Sequence, residues 1–301
     1  MPGLALSSMW MYGRFDQLDG FVAAAAGLGF TALELNAAVT SRHLAEAREF
    51  PPSTLEIVSV HYPCPPNPKT FDANLATLNR YEREAARQAA LDTIGFAADV
   101  GAQAVVFHLG RVDLEPALED ALRRAWKNGG NDSRDFRDLH RELLAARARR
   151  APQHLEVAFY DVEFLAEAAQ QAGLKIGLET RGRFDEFPML EEMALLLQEF
   201  GHPVYYWHDS GHAQVLENLD FFPHQVWLDA FAGQLLGIHL HDVAGLNDHL
   251  APGVQEGGRV DFDLLREFAG PSVLRVCEVG PQHSRDDLAK SLQMLQAIGL
   301  G

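Results

Sequence analysis

Short runs of β-branched and aliphatic residues alternate along the chain with longer stretches whose apolar positions recur every three or four residues. The short runs predict strands at Leu4–Ser8, Ala32–Leu35, Ile57–His61, Ala104–His108, Lys175–Glu179, Val204–His208, Leu236–His241 and Val273–Glu278. The longer ones predict helices that include Asp16–Leu28, Asn74–Val100, Val162–Ala172, Pro188–Phe200 and Asp286–Ile298. Strands that alternate with helices pair in parallel. Runs such as AVVF and KIGL are apolar throughout, which suits a sheet covered on both faces. Eight such units in 301 residues predict an α/β fold, a (β/α)8 TIM barrel, as one domain over residues 1–301. Gly177 and Gly237, inside strands, read as positions where another group packs closely against the backbone.

One connection is too long for a simple barrel. From Arg111 to Leu155, NGGNDS at Asn128–Ser133 divides a helical insertion after the fourth strand into two helices. Its place on a strand-to-helix connection puts it over the carboxyl face of the barrel, as a lid or as a decorative hairpin. The charge changes there too. The chain carries 25 Lys and Arg against 42 Asp and Glu, a formal charge of −17, yet this segment alone is +2. An acidic chain repels a phosphate backbone, so nucleic acid is an unlikely partner, while the local reversal leaves room for a small anionic substrate. The uncharged stretch Phe21–Leu33 has 13 residues with two glycines, too short for a membrane span of about 20. Two cysteines make no disulfide framework, and the start has no signal-peptide pattern; both suit the cytoplasm.

The carboxyl ends of barrel strands converge on one face, so their last polar residues bear on chemistry. Strand two ends in LELN with Glu34, strand three in VHYP with His61, strand four in VFHLG with His108, and strand five in GLETR with Glu179. Strand six ends in WHDSGH with Asp209 and His212, strand seven in IHLHD with His239, His241 and Asp242, and strand eight in CEVG with Glu278. Singly, these residues have bland readings, such as Glu34 as a helix cap or His61 and His108 as core histidines. Ionisable groups on seven consecutive strands are costly to bury unless something neutralises them, and a divalent cation does so. Carboxylates mixed with imidazole suit Mn²⁺, Co²⁺, Zn²⁺ or Mg²⁺, and without a thiolate nothing selects among them. His140, His154, His202 and His224 lie away from strand ends and read as surface or packing residues.

WHDSGHA at Trp207–Ala213, IHLHD at Ile238–Asp242, LETRGRFDEFP at Leu178–Pro188 and HLAPG at His249–Gly253 resemble the xylose isomerase-like barrels, over nearly the whole chain. That superfamily includes sugar-phosphate isomerases and epimerases and the endonuclease IV group. The resemblance implies one divalent metal held by Glu179, Asp209, His239 and Glu278, with the two glutamates exchanging a proton with a sugar ketone through an enediolate. His61, His108, His212, His241, His249 and Arg181 are the implied substrate contacts, although Arg181 is also placed to pair with Asp185 at the surface. A sugar or sugar phosphate is the implied partner, and a homo-oligomer is compatible with it. A second reading is phosphodiester hydrolysis at abasic DNA with two or three zinc ions, for which His61, His108, His212 and His249 match ligand positions. Asn247 departs from that pattern, standing where the group has Asp. A metal-dependent sugar dehydratase on the same scaffold is a third.

Overall fold

A computed structural model describes residues 3–67 and 74–301. Eight parallel strands close into a barrel in chain order: β1 (Ala5–Ser7), β2 (Ala32–Leu35), β3 (Glu56–His61), β4 (Ala104–Phe107), β5 (Lys175–Glu179), β6 (Val204–Asp209), β7 (Leu235–Leu240) and β8 (Leu274–Cys277), with β8 returning to β1. The helices among the described residues are α1 (Leu18–Leu28), α2 (Ser41–Glu46), α3 (Arg80–Asp99), α4 (Pro116–Gly129), α5 (Arg134–Gln171), α6 (Leu190–Phe200), α7 (Ser210–Asn218), α8 (His224–Phe231), α9 (Phe262–Phe268) and α10 (Arg285–Ala297). Each strand falls within a residue or two of its expected position.

The barrel interior is built from small residues around one large one. Ala5, Ala32 and Ala104 join Val58, Val106, Leu236, Leu274 and Val276 around Trp207. The indole is fully buried and lies against Gly177 and Gly237 on the flanking strands, where an added Cβ would come within 2.8 Å and 2.4 Å of its ring. The two glycines are thus close-packing positions, as the sequence indicates. Above this layer, strand register sets ligand-type residues side by side: Ser7 opposite Glu34, and Asp209 opposite His239.

The segment after β4 differs from expectation in one respect. The break at Asn128–Ser133 is present, with Ser133 capping α5 through the Phe136 N–H. However, α5 then runs on for 38 residues, through Pro152, and becomes the barrel helix that leads into β5. No glycine, cap or change of periodicity lies near Leu155 to end it, so the insertion and the barrel share one helix.

The insertion grips the connection between β5 and α6. Glu119 on α4 accepts the Phe184 and Asp185 N–H groups, and Arg123 donates to Gly182 O. Arg147 on α5 is buried, makes a two-pronged pair with Glu192, and donates to Phe184 O and Glu186 O. Two short antiparallel pairs complete the carboxyl face: Gly110–Arg111 with Glu186–Phe187, and Asp242–Ala244 with Asn247–Leu250.

Candidate metal centre and cleft

At the carboxyl end of the barrel, Glu179, Asp209, His239 and Glu278 place one ligand atom each within 4.8 Å of one another. All four side chains are buried, and each stands within one residue of the end of one of the consecutive strands β5 to β8. His239 Nδ1 lies at the centre of the three carboxylates, 2.8 Å from Glu179 Oε1, 3.5 Å from Asp209 Oδ2 and 3.4 Å from Glu278 Oε2. Three buried carboxylates and an imidazole suit a divalent cation of hard to borderline character, so the residues fit such an ion.

The electrostatics follow from this crowding. Burial alone would raise every carboxyl here, but the His108 and His239 imidazoles outweigh it and hold Glu179 well below the usual range. Asp209 is likewise held well below its ordinary value, by His212 and His241 against burial. Glu278 goes the other way: burial, Glu179 and Glu34 raise it against the pull of His239. Burial would lower His239, yet Glu278, Glu34 and Glu179 push it well above the ordinary imidazole value.

Around the centre, the other expected residues divide. His61, His108, Arg181, His212 and His249 line a cleft of about 270 Å³ above Glu179 and Glu278. His61 Nε2 is 3.2 Å from Glu179 Oε2, and His108 touches the same oxygen; these three form a second group able to hold an ion. Burial and the neighbouring Arg181 guanidinium lower His108 to about 3. His212 Nδ1 donates to Thr180 O at 3.0 Å. His249 sits in the left-handed region, with φ 52°, within the short Asn247–Leu250 strand, and its ring approaches Glu278. His212, His241 and His249 form the third group of close potential ligands.

Two residues have partners that the sequence did not indicate. His241 is not in the cleft lining: it is wholly buried, its Nε2 contacts Asp209 at 2.9 Å, and its Nδ1 accepts the His249 N–H at 2.9 Å. Its ring thus links Asp209 to the His249 backbone. Arg181 pairs not with Asp185 at the surface but with Glu186 at 2.8 Å, inside the cleft. Asp242, at the end of the seventh strand, is also structural, since its Oδ1 accepts the Val243, Arg259 and Val260 N–H groups.

Glu34 was visible as a strand end, but its function was not. It faces His239 Nε2 at 3.1 Å and accepts the Ser59 hydroxyl at 2.8 Å, so it fixes the ring that presents Nδ1 to the centre. Met9, Tyr12, Asn36, Ala37, Tyr62 and Pro63 supply the rest of the lining, with Tyr12 43% exposed. The aromatic run MWMYG just after β1 is the only sequence signal for the Met9–Tyr12 part of this wall. His140, His154, His202 and His224, which read from sequence as surface or packing residues, are placed as follows. His140 stacks between Phe136 and Phe221; His154 is buried and bonded to Ala76 O; His224 is buried against His208; and His202 contacts Tyr205 in an exposed pair.

This architecture has known counterparts. A D-tagatose 3-epimerase-like protein is similar at 19% identity and a TM-score of 0.64, covering 98% of this chain and 96% of that chain. An L-ribulose 3-epimerase is similar at 15% identity and a TM-score of 0.66, covering 100% of this chain and 95% of that one. A protein from Thermus thermophilus, in crystals soaked with zinc chloride, is similar at 20% identity and a TM-score of 0.63, covering 99% and 98%. At these identities the likeness carries the fold alone. Among curated proteins, none matches the sequence. The pattern of the xylose isomerase-like TIM barrel matches residues 22–298, nearly the whole chain, and the protein belongs to that family.

Proposed function

We propose that the protein is a divalent-metal-dependent isomerase or epimerase of a small sugar or sugar phosphate. The observation that carries this reading is the pair Glu179 and Glu278, both buried, both in the four-residue centre, and both at the floor of a cleft sized for a small polar ligand. Glu179, Asp209, His239 and Glu278 hold the ion in this reading. Bound there, a divalent cation supplies Lewis-acid stabilisation of the charge that develops when the carbon beside a sugar ketone loses its proton. The protein does the rest. One glutamate takes the proton and the other returns it to the same or the neighbouring carbon. His108, His212 and His249 offer ring nitrogens to hydroxyls from the cleft walls, His61 lines the same wall with its ring nitrogens on Tyr62 O and Glu179, and Arg181 offers the one cation among the described lining residues. Tyr12 gives the rim an apolar face for the sugar ring.

The direct test is exchange rather than product identification. Incubating the Mn²⁺-, Co²⁺- or Zn²⁺-loaded protein with a panel of ketoses and ketose phosphates in D2O should place deuterium on the carbon next to the ketone of at least one substrate, read by NMR. Glu278→Gln should reduce that exchange by well over tenfold, since general acid–base contributions are about 10²–10⁴-fold. No exchange with any ketose, or full exchange in the variant, would refute the assignment. Cleavage of abasic-site DNA without ketose exchange would favour the hydrolytic reading, in which His61 and His108 become ligands.

A further inference from the structure

Among the described residues lining the cleft, Arg181 is the only lysine or arginine, and its guanidinium is aimed at a defined place. Nη1 donates to His108 Nε2 at 2.6 Å and lies 3.4 Å from Glu179 Oε2. Those two residues, with His61, make up the second group of potential ligands beside the four-residue centre. His61 Nε2 approaches the same Glu179 oxygen at 3.2 Å. The arginine is held in this pose from behind by Glu186, which takes Nη2 at 2.8 Å and also accepts the Arg183 N–H at 3.1 Å. Its side chain is only 13% exposed. Glu179 is therefore shared: Oε1 faces His239 and the four-residue centre, while Oε2 faces His61, His108 and Arg181.

A guanidinium keeps its charge at every pH at which proteins fold, and it only donates hydrogen bonds. His108 Nε2 is thus held between the Arg181 guanidinium and Glu179 Oε2. A dication entering between His61, His108 and Glu179 would meet a fixed positive charge a few ångströms away in a buried site, where Coulomb repulsion is poorly screened. We propose that Arg181 occupies the seat of a second cation between His61, His108 and Glu179, so that the protein operates with one metal ion beside one fixed organic cation. The proposal rests on the reading that Glu179, Asp209, His239 and Glu278 hold the single ion. An organic cation in that seat cannot generate a nucleophilic hydroxide from bound water, as a second metal would. It offers directed N–H donors instead, which suits the holding of a substrate oxygen rather than hydrolysis.

The experiment counts ions and needs no substrate. Full-length wild type, Arg181→Met and Arg181→Met/His108→Ala are dialysed against excess Zn²⁺, desalted and analysed by elemental mass spectrometry, with circular dichroism as a check of folding. Arg181→Gln is carried beside them in case the methionine variant packs badly. The expected ratios are about one Zn²⁺ per chain for wild type, about two for Arg181→Met and Arg181→Gln, and about one again for the double variant, because three ligands including His108 are needed to close the second seat. If folded Arg181→Met and Arg181→Gln stay at one ion, the proposal is overturned while the single-ion reading survives. If wild type already holds two or three ions, the arginine does not exclude them and the proposal is also overturned. If wild type holds none, both the proposal and the reading beneath it fail.

Discussion

The layer beneath the candidate site is tight enough to predict what one methyl group would do. Gly237 on β7 faces the Trp207 indole, and a Cβ at that position would lie 2.4, 2.5 and 2.7 Å from three of its ring carbons. Ordinary contact begins near 3.4 Å, so the ring has to withdraw by about 1 Å. It has nowhere to go: a Cβ on Gly177 of β5 would lie only 2.8 Å from the same indole, and the His239 ring stands 5.1 Å away centroid to centroid. Overpacking of a well-filled core costs about 1–3 kcal/mol, and the rigid indole places Gly237→Ala in the upper part of that range. The lower conformational freedom of alanine in a strand returns about 0.5–1 kcal/mol, which leaves a net loss of about 2 kcal/mol. Urea unfolding should therefore show a lower midpoint at unchanged slope.

The mechanism is separable from a general dislike of mutation by a double-variant cycle. Trp207→Phe alone removes buried ring atoms and is destabilising through a cavity. In the Gly237→Ala background the same change makes room for the methyl group, so the double variant should be more stable than the two single losses predict, by about 1 kcal/mol or more. Equal stability of Gly237→Ala and wild type, or strictly additive losses, would refute this picture of the barrel interior.

Two further predictions concern buried polar pairs. His208 Nε2 and His224 Nε2 share a hydrogen bond at 2.8 Å, which needs one nitrogen to accept, and burial lowers His224 to about 4. A depressed histidine pKa contributes stability that is present above the unfolded value near 6.5 and is lost as pH falls from there towards 4. His224→Gln, which does not titrate, should therefore lose about 3 kcal/mol less than wild type between pH 7 and pH 4 in urea titrations, and identical pH profiles would contradict this. Arg147→Ala leaves Glu192 buried without its partner and frees Phe184 O and Glu186 O. Unfolding should show a loss of about 3–5 kcal/mol, and Arg147→Met/Glu192→Leu should recover much of it; a loss below about 1 kcal/mol would mean the pair is not buried in solution.

Much of this was legible in the sequence because barrel strands are short, apolar and regularly spaced, and because the residue that ends each one faces a shared axis. Ala32–Leu35 and Lys175–Glu179 were readable to the residue, and the glycines facing Trp207 could be recognised as packing positions. What escaped was information carried by closure of the barrel. Glu34 on β2 reaches His239 on β7 across the barrel mouth, a contact between strands that are not neighbours and are 205 residues apart in sequence. Arg181 had two acidic candidates, Asp185 and Glu186, and only the backbone path of the loop decides that Glu186 faces it while Asp185 faces Arg183. His241 has the residue type of a ligand or substrate contact, yet its environment gives both of its ring nitrogens to the protein. The end of the insertion escaped for the opposite reason: the helical pattern continues through Leu155 without interruption, so no local signal marks where insertion becomes barrel.

The reversed charge of the insertion acquires a different meaning once these contacts are traced. A segment at +2 in a chain at −17 invites a search for an anion on its surface. Two of its arginines are instead directed inward: Arg123 and Arg147 hold the carbonyls of Gly182, Phe184 and Glu186, while Glu119 takes the Phe184 and Asp185 N–H groups. The arch fixed in this way carries Glu186, and Glu186 fixes Arg181. In this arrangement the insertion braces the loop that leads from Arg181 to Glu186. The cation that matters to the candidate site lies outside the basic segment, and the basic segment is what holds its supporting loop in place.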